Sequence, residues 1–150
     1  MKNLATNKRA LFDYTILEKF EGGLVLLGTE VKSVKAGHMS LRGAFIALLG
    51  EEAYLTNATI PPWQPKNTPE SYDPTRSRKV LLNKSEIRSL IGSKQTKGLT
   101  IVPLRVYNKG SRVKVELALA KGKRKYDKKM AKRERDIQRD IDRALRGKED

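Results

Sequence analysis

The sequence predicts a mostly β protein: a small antiparallel barrel of about six strands with short flanking helices and a basic C-terminal tail. Three observations point there. Apolar Val113, Val115, Leu117 and Leu119 alternate with Arg112, Lys114, Glu116 and Ala118, the period of a strand with one buried face. Turn residues at Gly50-Glu51-Glu52 and Asn108-Lys109-Gly110-Ser111 reverse the chain between such stretches, as hairpins require. The helical patterns are short and do not alternate regularly with strands, which argues against a parallel sheet.

Residues 1–10 read as an arm carrying Asn7, Lys8 and Arg9. Phe12, Tyr14 and Ile16 then alternate with Asp13 and Thr15, a half-buried strand that runs to about Phe20 and is broken by Glu21-Gly22-Gly23. Residues 24–27 are too short for a helix and read as a second, fully buried strand. A short helix follows, with Thr29 as N-cap, Glu30 in its first turn, Val31 and Val34 on its apolar side and Gly37 as its left-handed stop. Lys32 and Lys35 project from it as ordinary solvated charge. Residues 44–49 and 53–60 form a hairpin. Residues 61–78 hold Pro61, Pro62, Pro65, Pro69 and Pro74 and read as a surface loop or one ordered on binding, in which Trp63 is expected to lid one end of the core.

Arg76-Ser77-Arg78-Lys79 is a basic approach to Val80-Leu81-Leu82, read as a buried anchor. Asn83 caps a second helix with Glu86 three residues on, Ile87, Leu90 and Ile91 form its apolar stripe, and Gly92 is expected to end it. Residues 99–107 are the next strand, marked near Pro103 as an edge or a bulge. Together these strands suggest an OB-like Greek-key barrel over residues 1–120, a fold that binds oligonucleotides on an exposed face. In residues 121–150 a thin stripe of Met130, Ile137, Ile141 and Leu145 lies among helix-spaced ion pairs worth a few tenths of a kcal/mol each. The tail is therefore expected to be disordered when free and helical once a polyanion orders it.

The formal net charge is +15 and the pI about 10.1, which calls for a polyanionic partner. Residues 1–120 carry 19 basic and 10 acidic side chains and residues 121–150 carry 13 and 7, so body and tail are both basic. A membrane anchor would set its charge beside an apolar wedge that this tail lacks, so nucleic acid is the favoured partner and no membrane is. With no cysteine and His38 as the single histidine, disulfides, structural zinc and Cys or Ser-His nucleophiles are excluded. No phosphate-binding loop, dinucleotide fingerprint or carboxylate pair is visible, so neither catalysis nor a cofactor or metal is expected. Neither a signal peptide nor a membrane span is legible, and the sequence predicts a soluble, cytoplasmic protein.

Lys121-Gly122-Lys123 is the candidate site. Lys121 falls on the apolar parity of the last strand, where an unpaired ammonium cannot be buried, so the strand must have reached the open end of the barrel. Gly122 lets a backbone come close and Lys123 adds charge, which makes a rim for RNA phosphate. The other reading is a solvated strand end leading into a frayed basic terminus.

In order along the chain, Asn7-Lys8-Arg9-Ala10, Asp13-Tyr14, Glu21-Gly22-Gly23, Gly28-Thr29-Glu30-Val31-Lys32-Ser33, Arg76-Ser77-Arg78-Lys79-Val80-Leu81-Leu82 and Ala120-Lys121-Gly122-Lys123 resemble the SsrA-binding protein family, small protein B. The resemblance implies an oligonucleotide-binding barrel that grips the tRNA-like domain of transfer-messenger RNA. It further implies a tail that enters the decoding centre and empty message channel of a stalled ribosome during trans-translation, with elongation factor Tu as a co-passenger on the same RNA. By position it implies RNA-binding roles for Asn7, Lys8, Glu21, Leu81, Lys121, Gly122 and Lys123, and ribosome-binding roles for Tyr126, Asp127, Lys128 and Lys129. For Glu21, which would repel phosphate, it leaves acceptance from a base or ribose hydroxyl, or the holding of Asn7 or a lysine. Lys129 stands where many relatives have arginine, Ile137 where some have an aromatic residue, and Gly22 replaces a common alanine, a change read as minor. Two other classes remain open on the residues alone: a constitutive ribosomal or initiation-type protein that binds ribosomal RNA, and a small RNA-processing enzyme.

Overall fold

The structure, a computed structural model, describes residues 2–123 together with Arg135, Ile137 and Arg139, which are helical. Seven antiparallel strands form one sheet: β1 (Asn3–Thr6), β2 (Tyr14–Leu24), β3 (Phe45–Leu49), β4 (Glu52–Thr56), β5 (Arg78–Leu81), β6 (Leu99–Lys109) and β7 (Arg112–Gly122). Their order is β1-β6-β7-β2-β5-β4-β3, and the sheet curls until β3 lies near β6, giving a barrel-like body. Helices α1 (Ala10–Asp13), α2 (Gly28–Lys35) and α3 (Lys84–Lys94) decorate it.

The strand total differs from about six for identifiable reasons. The arm contains β1, which pairs with β6 through Asn3↔Tyr107 and Thr6↔Arg105, and its single large apolar residue, Leu4, gave no period to read. Val80 and Leu81 belong to β5, where the sequence pattern predicts only a buried anchor. Residues 24–27 are not a second strand. β2 runs on through Gly22 and Gly23 to Leu24, while Val25 and Leu27 stay about half exposed. Gly22 does not break β2, because β5 crosses it too close for a side chain: a Cβ there would lie 2.5 Å from Val80 Cγ1 and 3.0 Å from the Leu81 carbonyl oxygen. Glycine here is a packing requirement, so its replacement of alanine is not minor.

The main core takes Val113, Val115, Leu117 and Leu119 from β7, with Phe20, Leu55, Val80, Ile101 and Val106 around them and Val34, Ile87 and Leu90 from the helices. Half of β7 is also buried on its outer face, where Ala118 and Ala120 pack with Ala10, Val102 and Leu104 beneath α1. β6 bulges between Pro103 and Arg105 as the proline suggested, but it is an interior strand paired on both sides, so the edge alternative fails. Helix α2 starts two residues earlier than a Thr29 cap would allow, after Leu27, whose N–H donates to Glu30 Oε1 at 2.9 Å. Gly37 stops the helix at φ +85°. Helix α3 begins after Asn83, whose N–H donates to Glu86 at 3.0 Å, but it passes Gly92 and runs to Lys94. Trp63 does not lid the core. It remains 39% exposed, its ring 6.2 Å from that of His38.

The largest departure from the sequence reading is a buried ion cluster. Glu30 is 1% exposed and Arg78 is fully buried. Arg78 donates to Glu30 Oε2 at 3.0 and 2.6 Å, to the Ala58 carbonyl at 2.7 Å and to the Pro74 carbonyl at 3.0 Å. Arg76 and the Tyr72 hydroxyl also donate to Glu30, and Tyr72 reaches the Ile60 carbonyl at 2.8 Å. Burial alone would push the Glu30 carboxyl up; hydrogen bonds from Arg76, the Leu27 N–H and Arg78 overcome it and hold that carboxyl below its ordinary value. The cluster fastens the proline-rich loop to α2 and β5. Arg78 is thus a clamp inside the fold, and the other two cations of the expected basic approach are ion-paired as well, Arg76 with Glu30 and Lys79 with Glu52.

Candidate nucleic-acid interface

The residues singled out from sequence fall into two groups at opposite ends of the β2–β7 ribbon. The first sits where β7 ends. Lys121 pairs with Thr15 on β2 and Leu99 on β6, and its side chain is exposed, as its place on the apolar parity required. Gly122 lies opposite Tyr14, and nothing within 4 Å would meet a Cβ there, so this glycine is not demanded by packing. The Lys123 N–H donates to the Asp13 carbonyl at 2.9 Å, and its ammonium donates to the Leu11 carbonyl at 2.8 Å. Both contacts fold the chain back onto α1.

Asn7 belongs to the same end. Its N–H donates to the Leu104 carbonyl at 2.8 Å and its Nδ2 to the Pro103 carbonyl at 2.8 Å, so it supplies the donors that the β6 bulge leaves wanting. Lys8 and Arg9 follow it and are exposed. Beside them open two adjoining clefts of about 430 and 370 Å³ that share Asn7, Arg9 and Gly43.

The second group lies six residues along β2 from Thr15, about 20 Å away at strand rise. Glu21 accepts from the Tyr107 hydroxyl and from Lys109 Nζ at 3.0 Å. These two bonds hold its carboxyl below the ordinary range. Burial and the bond to Glu21 push the Tyr107 hydroxyl up. Of the roles left open for Glu21, the structure shows the holding of a lysine, Lys109; it does not touch Asn7. Leu81 is opposite Gly23 on β2 and is 55% exposed, so it is not core. Lys114 completes this corner, its ammonium 3.8 Å from where a Gly23 Cβ would be. Arg105 stacks over the Tyr107 ring at 4.4 Å and bonds to Asn3 and Glu116.

Lys109, Lys114, Arg105 and Tyr107 were missed by sequence reasoning, although Lys114 stood in plain view on the polar parity of β7. Arg42 and Gly43, on the far wall of the clefts, carried no readable signal. Tyr126, Asp127, Lys128 and Lys129 lie outside the described residues. Among the described residues no group of His, Cys, Asp or Glu could hold a metal ion, and no helix is long and apolar enough to cross a membrane. What both ends offer is ammonium and guanidinium groups beside glycine backbone and a few exposed apolar side chains, the set used to grip a phosphate backbone and reach unpaired bases.

The chain matches the SmpB protein family over residues 4–147. It is 51% identical over 147 residues to the SsrA-binding protein of Sulfurihydrogenibium sp. (strain YO3AOP1), covering 98% of this chain and 96% of that protein. The SsrA-binding protein of Thermosynechococcus vestitus (strain NIES-2133 / IAM M-273 / BP-1) is 48% identical over 146 residues, covering 97% and 96%. Among solved structures, one of tmRNA-SmpB at the centre of the bacterial ribosome has a chain 46% identical, with a TM-score of 0.66 over 85% of this chain and 93% of that one.

Proposed function

This chain belongs to the SmpB protein family, and from that premise we propose that it is an RNA-binding adaptor that binds the tRNA-like domain of transfer-messenger RNA and delivers it to stalled ribosomes. The observation that carries the reading is the likeness, over most of both chains, to a tmRNA-SmpB structure at the centre of the ribosome. The barrel's two basic ends hold the RNA, and the tail from Tyr126 onward, with Asp127, Lys128 and Lys129, occupies the decoding centre and the empty message channel. The protein acts in the cytoplasm and performs no catalysis: the chemistry of rescue belongs to the RNA and the ribosome.

Each end has a definable part. Lys121 and Lys123 neutralise phosphates, and Gly122 admits the RNA backbone. Lys8 adds charge from the arm that Asn7 anchors. At the far end Lys109 and Lys114 supply charge, Glu21 keeps Lys109 oriented, and Leu81 offers an apolar surface to a ribose or base.

A salt-series titration of the full chain against the tRNA-like domain, with an RNA duplex of equal charge as competitor, tests this. The proposal expects preference for the tRNA-like domain to survive at roughly physiological salt and to fall on Lys121→Ala or Leu81→Ala. Equal binding of both RNAs would leave a merely basic barrel and favour a constitutive ribosomal protein.

A further inference from the structure

The paired clefts beside Asn7 are built more tightly than surface loops need to be. Their second wall is the segment Met39 to Phe45. Met39 and Leu41 are buried and form an apolar floor. Ser40 and Thr59 exchange backbone hydrogen bonds at 2.9 and 3.0 Å, and the Arg42 N–H donates to Ser40 Oγ at 3.2 Å. Gly43 takes φ +75°, and its carbonyl accepts from Asn57 Nδ2 at 3.2 Å, Asn57 itself standing at φ +65°. Two left-handed residues thus lock the wall in one shape.

Its chemistry is one-sided. Lys8 and Arg42 line the first cleft, and neither is ion-paired among the described residues. Arg9, which is paired with Asp13 at 3.6 Å, is shared with the second cleft, where Tyr14 and Phe45 bring aromatic surface. Phe45 is 48% exposed although it sits in a strand, which leaves about half of a large apolar side chain open to solvent. Each cleft falls within the roughly 300–1,000 Å³ of small-ligand sites.

We propose that these clefts seat one unpaired nucleotide of the bound RNA, with Lys8 and Arg42 on its phosphate and Phe45 against its base. This rests on the RNA-binding reading above and adds to it a built pocket on the wall opposite Asn7. Stacking on Phe45 tolerates any base, so the pocket selects an extruded nucleotide by shape and charge and discriminates against continuous duplex.

The test is a backbone-amide NMR titration of the full chain with a four-nucleotide uridine oligoribonucleotide, run beside affinity measurements on the tRNA-like domain. Amide shifts are expected at residues 6–9 and 41–45. Arg42→Ala should weaken both RNAs about tenfold and Arg42→Lys less, the usual size for one charged or stacked contact. Lys32→Ala, on α2, should change neither. Shifts confined to Lys109 and Lys114, no shifts at all, or an Arg42→Ala variant that binds as the parent does would overturn the pocket. If the parent still prefers the tRNA-like domain in those cases, the wider reading stands without it. If the parent shows no preference, the wider reading falls.

Discussion

Replacing Glu30 by glutamine leaves the wholly buried Arg78 guanidinium without a counter-charge. Removing one partner of a buried pair costs about 3–5 kcal/mol, so Glu30→Gln should lower the midpoint of thermal unfolding by roughly 10 °C. The pH dependence has a definite sign. The folded carboxyl titrates below its ordinary value of 4.5, so its stabilisation is complete above that pH and is lost as pH falls through the lowered folded value. The parent's advantage over Glu30→Gln should therefore narrow below about pH 4.5 in parallel urea melts. A second residue separates structure from function. Because a Cβ at Gly122 meets nothing, Gly122→Ala should unfold within about 1 kcal/mol of the parent yet bind the tRNA-like domain about tenfold more weakly in a filter assay. At this scale the sequence was readable wherever parity decided: Lys121 had to be exposed. It misled where charge type stood in for location, because Arg78 looks like a surface cation until its partner Glu30, 48 residues away, is seen.

Among the elements, β2 carries the most instructive discrepancy. Glycines ordinarily weaken a strand, and Gly22-Gly23 read as a break, yet the close crossing of β5 makes the missing side chain of Gly22 a condition of pairing. Gly22→Ala must push back Val80 Cγ1 and the Leu81 carbonyl, and should cost about 1–3 kcal/mol in a urea melt. That close approach is a long-range fact with no local signature, as is β1, whose pairing with β6 depends on Asn7 bonding across the Pro103 bulge. Local grammar did better. The two-residue turns at Gly50 and Gly110, both at positive φ, and the Asn83-to-Glu86 start of α3 were set by residues within a few positions of one another.

For the whole molecule, the arrangement is a rigid barrel with cations at two ends about 20 Å apart. The candidate site was only half legible in the sequence. Lys121, Gly122 and Lys123 follow from charge and strand parity and Lys8 from the family resemblance, whereas the corner of Glu21, Leu81, Lys109 and Lys114 exists only because four strands bring it together. The proposed division into an RNA-gripping body and a ribosome-reading tail predicts that removing residues 126–150 leaves affinity for the tRNA-like domain within about twofold. The most direct measurement is tagging in a reconstituted bacterial translation system stalled on a message without a stop codon. With transfer-messenger RNA present, adding the full chain should release the ribosomes with tagged product, and adding residues 1–125 should not. Tagging that proceeds equally without the protein, or a full chain that stays on actively translating ribosomes and yields no tag, would contradict the account.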